Sequence, residues 1–229
     1  MEKNDILHSI KEIRDKAPKR SFKETFDFIV NLKDINLKNP IEKVEFYVNL
    51  PHGKGKKNKV CGFVGPNLLK QAKEVFDLAI PKEDFDKWDK RETRKLANSY
   101  DFFVSQVSLM ADVGKAFGKA LAPRGLMPNP KVGCIVPETA DLKIVADRLS
   151  KMIKVATKNE ASIKCSVGTS DMKDEAIAEN VQAVYSQLIH ELSKGEQNVK
   201  NVMLKLTMSS PIVIKHKKEA KWVKNQIRK

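Results

Sequence analysis

The sequence has few of the features that identify exported, membrane or disulfide-bonded proteins. It contains only three cysteines, Cys61, Cys134 and Cys165, and no two of them have the spacing of a metal site or a redox pair. Each lies in an apolar run, which indicates buried free thiols in a reducing compartment. No stretch approaches the roughly 20 apolar residues of a membrane helix, and the first residues contain no apolar signal region. We therefore predict a cytoplasmic protein with no membrane partner.

The motifs of catalysis and cofactor binding are missing as well. Gly114 and Gly118 each precede a lysine, but alanine follows each lysine and the P-loop spacing is absent. No G-x-G-x-x-G sequence opens a helix after a strand, and no serine or cysteine lies in a nucleophile-elbow sequence. The four histidines are scattered without ligand spacing. The sequence thus predicts no catalytic residue, no metal site and no cofactor, although an active site assembled from distant residues would leave no such motif.

Positive charge is what the chain has in excess. Among 229 residues, 43 Lys and Arg stand against 29 Asp and Glu, a formal net charge of +14. A surplus of this size favours a polyanionic partner, and a basic enzyme is the alternative. Hydrophobic residues make up 41 % of the chain, which is typical of a globular protein and too high for a disordered one.

The hydrophobic pattern changes twice along the chain. Near both ends, apolar and polar residues alternate, as in strands with one covered face, over residues 25–33, 44–50, 162–167 and 201–208. Helical periodicity predicts helices over residues 5–17 and 173–194. In the middle, compact apolar strands over 60–64 and 100–105 alternate with helices over 67–78, 90–99, 112–122 and 141–152. This alternation is typical of a parallel sheet covered on both faces.

We therefore predict an α/β (α+β) fold of two domains. Residues 1–65 and 156–229 form a split β-α-β sandwich, the discontinuous first domain. Residues 66–155 form an inserted Rossmann-like domain with a parallel sheet. Such an insertion is tolerated because the entry and exit points of a domain can lie close together.

The outward face of the first domain's sheet is the strongest candidate for a binding surface. The polar sides of its strands carry Thr25, Asp27, Lys164, Ser166, Lys205 and Thr207. Hydroxyl and carboxylate groups can hydrogen-bond ribose 2′-OH groups, and lysines can pair with phosphates. Phe22, just before the first strand, could stack on a base or simply be an edge aromatic. The alternative for the whole face is a solvated sheet surface.

Two lysine-rich segments are further candidates for contact with a nucleic-acid backbone. One is the loop over residues 52–59, and the other is the C-terminal tail over residues 215–229. Either segment binds phosphates or is merely solvated, and the sequence leaves both readings open.

Residues 118–130 have the most distinctive sequence in the chain. They read Gly-Lys-Ala-Leu-Ala-Pro-Arg-Gly-Leu-Met-Pro-Asn-Pro, and prolines and glycines at this density predict a rigid, irregular loop. This loop resembles the signature of the large-subunit ribosomal protein of the mobile side stalk, universal family number one. Residues 19–25, 167–168 and 205–208 resemble other family segments in the same order, so the resemblance covers nearly the whole chain. The short N-terminus and the Pro-His-Gly-Lys-Gly loop resemble archaeal members.

The resemblance implies two domains, the first built from both termini and carrying the RNA site. Carried over residue by residue, it implies RNA contacts at Phe22, Thr25, Asp27, Thr207 and Met208. Arg20 is a further candidate because residues 19–25 resemble the family's N-terminal RNA-contact segment, and Ser209 is a candidate at the position after Met208. Together with Lys164, Ser166 and Lys205 from the polar face, these residues form the predicted RNA-binding site. Two positions depart from the family pattern. Asp27 replaces a glutamate, and Ser209 replaces a glycine and so restricts the backbone.

The function implied by the resemblance is that of a structural constituent of the large ribosomal subunit that binds rRNA at the mobile side stalk. It further implies contact with exit-site tRNA, assistance to the release of deacylated tRNA, and repression of translation by binding its own mRNA. The protein would act as a monomer within the ribosome. The main alternative is a nucleotide- or nucleic-acid-processing enzyme that uses the parallel-sheet domain. A general single-strand binder is a third possibility, but aromatic residues, at 7 % of the chain, are few for a stacking platform.

Overall fold

A computed structural model describes residues 1–18, 20–37, 39, 42–157 and 159–214 of the chain. Its helices are α1 (Lys3–Lys16), α2 (Leu69–Val75), α3 (Lys90–Ser99), α4 (Met110–Leu121), α5 (Leu142–Ser150) and α6 (Asp174–Glu191). Its strands are β1 (Thr25–Leu32), β2 (Glu45–Asn49), β3 (Val60–Val64), β4 (Leu78–Pro81), β5 (Phe102–Gln106), β6 (Ile135–Val136), β7 (Met152–Ala156), β8 (Ser162–Thr169), β9 (Val199–Leu206) and β10 (Ile212–Val213). Short 3-10 helices span Lys82–Lys87, Val107–Leu109, Ala122–Arg124, Pro130–Val132 and Gly195–Asn198.

The backbone forms two compact units. Unit 1 comprises Met1–Lys56 and Lys151–Lys229, and unit 2 comprises Lys57–Ser150. Within unit 2, the side-chain amide of Asn58 donates to the carbonyl of Leu149 at 2.6 Å, so the entry and exit of the unit lie side by side. A chain that enters and leaves at adjacent points can be inserted into another domain without disturbing it.

Unit 1 contains an antiparallel sheet with the strand order β10-β9-β1-β8. One face of this sheet packs against α1 and α6, and burial therefore alternates strictly along β1. Phe26, Phe28 and Val30 point into this core and are completely buried, whereas the residues between them are only half-buried. Strands β2 and β7 form a separate antiparallel pair that also contributes to the core of unit 1.

Unit 2 contains a parallel sheet with the order β4-β3-β5-β6. Every residue of β3 and β5 is buried, as expected for central parallel strands covered on both faces. Phe63 contacts Phe85, Phe103 and Phe117, with ring centroids 4.7 to 5.9 Å apart. This aromatic cluster gives unit 2 a core of its own.

The structure confirms the mixed α/β fold class and shifts several predicted boundaries. The predicted helix over 67–78 ends at Val75, and Leu78 begins β4, a short parallel strand that the helical pattern concealed. The helix predicted over 141–152 ends at Ser150, and Met152 begins β7. The limits of the inserted unit are Lys57 and Ser150 rather than 66 and 155. They differ because β3 pairs with β4 and β5, whereas β7 pairs with β2 of unit 1.

Candidate nucleic-acid interface

The register of the antiparallel sheet places three predicted site residues in one row. Asp27 on the central strand β1 lies opposite Ser166 on β8 and opposite Lys205 on β9. All three side chains are half-buried on the face that α1 and α6 leave uncovered. Strand pairing thus places an aspartate between a serine and a lysine, and the Lys205 ammonium donates to the Thr207 carbonyl at 3.1 Å. Hydroxyl, carboxylate and ammonium groups on one face suit the ribose and phosphate groups of an RNA backbone.

Thr25 and Thr207 meet at the end of this row. The Thr207 hydroxyl donates to the Thr25 carbonyl at 3.2 Å and accepts from the Thr25 N–H at 3.3 Å, and the Thr207 N–H donates to the same carbonyl at 3.0 Å. A hydroxyl has one donor and two acceptor positions, so one acceptor position of Thr207 remains for a further hydrogen bond. Because Thr207 itself is exposed, that position can be reached by a ribose hydroxyl.

Two large apolar side chains flank the same edge in the open. Phe22 is 53 % exposed and Met208 is 60 % exposed, although both belong to residue types that are normally buried. Phe22 lies shortly before β1, and Met208 lies shortly after β9. Because β1 carries Asp27 and β9 carries Lys205, both apolar side chains lie next to strands that contribute to this row. Exposed apolar groups beside hydrogen-bonding groups are typical of surfaces that stack on unpaired bases.

A buried carboxylate holds Arg20 in place at this edge. The Nε atom of Arg20 donates to Oε1 of Glu24 at 2.7 Å, and its guanidinium carbon lies 5.9 Å from the centre of the Phe22 ring. The Glu24 side chain is only 7 % exposed, and its Oε2 has no hydrogen-bond partner among the residues that the structure describes. The Glu24 carbonyl also accepts from the Ser170 N–H at 2.9 Å. No sequence signal marks Glu24, because a glutamate beside Lys23 resembles any surface charge and only tertiary contacts bury it.

Asp27 has an altered acidity in this setting. Partial burial raises the pKa of its carboxyl group, and the nearby ammonium of Lys205 lowers it by a smaller amount.

The Cys165 thiol, on the inner face of β8, has its pKa raised to about 12 by burial. That thiol therefore stays protonated and belongs to the core of unit 1 rather than to the interface.

Lys164 and Ser209 are less directly placed than the other predicted residues. Lys164 lies one row further along, opposite Ile29, and its ammonium is paired with Glu160 at 2.8 Å. The Ser209 hydroxyl accepts from the Leu206 N–H at 2.9 Å and donates to the Leu206 carbonyl at 3.2 Å. These two hydrogen bonds close the turn that follows β9. Asp34 is the only non-glycine residue with positive φ in the described part of the chain, so the serine at 209 does not need the backbone of a glycine.

Of the two lysine-rich segments predicted to contact a nucleic-acid backbone, the structure describes only the loop. The loop over residues 52–59 is fastened to α6 by Asn180, whose amide nitrogen donates to the Gly53 carbonyl at 2.7 Å. The C-terminal tail over residues 215–229 lies outside the described residues.

Among the described residues, no three His, Cys, Asp or Glu side chains are grouped so that they could hold a metal ion. No helix among them is long and apolar enough to cross a membrane.

Comparison with known proteins identifies the family. Residues 11–210 match the model of the Ribosomal protein L1p/L10e family. Over 223 residues, 96 % of this chain and 100 % of the relative, the sequence is 35 % identical to the large ribosomal subunit protein uL1 of Methanocaldococcus jannaschii. It is 38 % identical to uL1 of Nanoarchaeum equitans over 90 % of this chain and 97 % of that one, and 36 % identical to uL1 of Methanobrevibacter smithii over 91 % and 97 %. The similarity to archaeal proteins confirms the predicted resemblance. The chain thus belongs to the Ribosomal protein L1p/L10e family, whose members are structural proteins of the large ribosomal subunit in the cytoplasm and not enzymes.

Proposed function

We propose that this ribosomal protein binds rRNA at the mobile side stalk of the large subunit through the edge of unit 1 formed by Phe22, Thr25, Asp27, Thr207 and Met208. The row in which Asp27 lies between Ser166 and Lys205 is the observation that carries the proposal. Asp27, Ser166 and Lys205 are far apart along the chain, and the pairing of β8, β1 and β9 brings them into one row. Arg20, Lys164 and Ser209 lie at the margin of this edge and support it.

Filter binding of the full chain to a stalk rRNA fragment tests this function. We expect a clear preference for that fragment over an unrelated structured RNA of equal length. Thr207→Val removes the free acceptor position and should weaken binding at least about tenfold, within the roughly 1–3 kcal/mol of one specific contact. Its salt dependence should change little, because threonine contacts no phosphate through a charge. Thr139→Val, at an exposed turn of unit 2, is the matched control. Equal affinity for both RNAs would refute the proposal.

We also propose two finer roles that the family resemblance supports. The first is contact with exit-site tRNA and assistance to the release of deacylated tRNA. Ribosomes reconstituted with and without the protein should differ in the dissociation rate of deacylated tRNA, and equal rates would exclude this role.

The second role is repression of translation through binding to the protein's own mRNA. A leader segment of that mRNA should compete with the stalk rRNA fragment for the same edge, so Thr207→Val should weaken both interactions together. A leader that binds with unchanged affinity to Thr207→Val, or does not bind at all, would contradict this role.

A further inference from the structure

One face of α3 carries only cations and an amide. Arg91, Arg94 and Lys95 have the spacing i, i+3 and i+4, which places them on neighbouring positions of one helical face. All three are exposed, and the buried residues of α3, Thr93, Leu96 and Ala97, lie on the opposite side. The two acidic residues near the start of the helix, Asp89 and Glu92, form its capping box, so they are engaged with the backbone.

A fourth cation joins this face from a distant part of the chain. Arg124, which ends the 3-10 helix after α4, donates through Nη1 to the carbonyl of Arg94 at 3.4 Å and to the side-chain oxygen of Asn98. Its guanidinium is thereby held at the C-terminal end of α3, while the residue stays exposed. We call Arg91, Arg94, Lys95 and Arg124 the basic stripe.

The basic stripe is part of a unit that carries a positive net charge. Between Lys57 and Ser150, 16 Lys and Arg stand against 12 Asp and Glu, and the basic stripe contains four of those cations. Two other cations of the unit are neutralised locally, Lys82 by Asp112 at 2.9 Å and Lys87 by Asp84 at 2.6 Å. Within the described part of the chain, no residue of the basic stripe has a carboxylate oxygen within 4.0 Å.

The closely spaced cations of the basic stripe destabilise α3. Like charges at i, i+3 and i, i+4 repel one another, and here they occur between Arg91 and both Arg94 and Lys95. Arg91 also lies in the first turn of α3, where the helix dipole disfavours a cation. A bound polyanion would remove both penalties.

We infer that the basic stripe is a second RNA-binding site, one that takes the phosphate groups of an RNA backbone. Three of its four residues are arginines, whose planar guanidinium groups bind phosphate oxygens in pairs. The stripe has no aromatic and no large apolar side chain, so it recognises backbone rather than bases. It lies in unit 2 and extends the proposed function, which concerns an edge of unit 1. The phosphates come either from exit-site tRNA or from rRNA.

The test uses the full chain and two RNAs, deacylated tRNA and the stalk rRNA fragment. The stripe variant is Arg91→Gln/Arg94→Gln/Lys95→Gln, which leaves Arg124 and its hydrogen bonds intact. The control is Lys70→Gln/Lys73→Gln/Lys143→Gln, which removes the same charge from exposed positions on α2 and α5. We expect the stripe variant to lose at least tenfold in affinity for one of the RNAs, and its salt slope to fall by about 2 for three lost phosphate contacts. The control should lose less than about threefold, and the melting temperature of the stripe variant should equal or exceed that of the unchanged protein.

The outcomes separate the possibilities. A loss confined to tRNA, or confined to the rRNA fragment, supports the site and identifies the source of the phosphates. Equal losses in stripe variant and control overturn it, as does stripe-dependent binding of polyglutamate with no change for either RNA, which would indicate an acidic protein partner. If the stripe variant does not fold, Arg91→Lys/Arg94→Lys keeps the charge and should still lower affinity because it removes the paired contacts. Thr207→Val, measured alongside, reports the unit 1 edge independently.

Discussion

Among single residues, Glu24 and Arg20 show how burial changes the meaning of a charge. Glu24 is shielded from water and relies on Arg20 as its charged partner. Removing one member of a buried pair leaves the other uncompensated, whereas replacing both with apolar groups is often nearly neutral. The pair therefore links the stability of unit 1 to the orientation of an arginine at the proposed RNA edge.

Arg20→Met should lower the free energy of unfolding by about 1–2 kcal/mol, a range reduced because Arg20 is partly exposed. The double variant Arg20→Met/Glu24→Met should recover most of this loss and still bind the rRNA fragment weakly. Urea unfolding and filter binding measure the two effects, with Lys11→Gln as a control for simple charge loss. Additive losses of stability would contradict the pairing.

Asp27 gives a prediction that depends on pH. Its pKa is raised in the folded state, so the native protein holds this proton more tightly than the unfolded chain does. The contribution of Asp27 to stability therefore falls as pH rises through the window between its ordinary pKa, about 3.9, and its raised folded value.

Asp27→Asn should gain stability over the unchanged protein as pH rises through that window, by a small amount because solvent screens the half-buried carboxyl. Urea unfolding at a series of pH values from acid to neutral measures this difference. RNA affinity at neutral pH should fall in the same variant, since an amide offers fewer acceptor positions to ribose hydroxyls. A stability difference that is flat with pH would show that Asp27 titrates normally.

At the level of elements, α6 does more than cover the sheet. Asn180 is completely buried, and its amide nitrogen donates to the carbonyls of Gly53 and Val167 at 2.7 and 2.8 Å. Its side-chain oxygen accepts from the His52 N–H at 3.2 Å. One side chain thus satisfies three backbone groups and fastens the glycine- and lysine-rich loop that follows β2 to the helix.

Asn180→Ala should lower the free energy of unfolding by about 2–4 kcal/mol, because three backbone groups lose their partner. Thermal unfolding should then begin several degrees lower, given about 2–4 °C per kcal/mol for a chain of this size. Gln182→Ala, an exposed amide on the same helix, should change stability little. Faster proteolysis at the lysines of the loop would locate the defect, and a loss equal to that of the control would exclude the anchoring role.

The elements differ in how far sequence patterns could predict them. β1 alternates over all eight of its residues, β9 alternates only from Asn201 to Leu206, and α3 carries a capping box, so the type of these elements follows from local periodicity and end signals. β4 and β6 are short, with four and two residues, and exist only because they pair with neighbours in the parallel sheet. A local pattern cannot specify a strand whose stability comes entirely from distant partners.

For the whole molecule, each unit has its own hydrophobic core. Phe63, Phe103 and Phe117 belong to the core of unit 2, whereas Phe26 and Phe28 belong to that of unit 1. A unit with a closed core and adjacent ends meets the requirements for independent folding. We propose accordingly that the inserted unit is an autonomous domain.

A chain comprising only residues 57–150 should unfold in one cooperative transition, followed by circular dichroism during heating. It should retain binding through the site that we propose for the basic stripe and lack the preference for the stalk rRNA fragment that we propose for unit 1. Asn58→Ala should destabilise this excised domain, because the hydrogen bond to Leu149 joins its two ends. A broad, non-cooperative melt would show that the insert depends on unit 1.

The sequence alone determined the period-two segments at both ends, the buried strands of the middle, the absence of catalytic motifs and the signature that marks the family. These properties are local, since side-chain periodicity and turn residues depend on neighbours along the chain. The tertiary structure decided the rest: that Asp27 lies between Ser166 and Lys205, that Glu24 is buried behind Arg20, and that Arg124 joins α3. Alternation specifies which face a residue occupies, but only strand order and register specify its neighbours, and both arise from contacts between residues far apart in the chain.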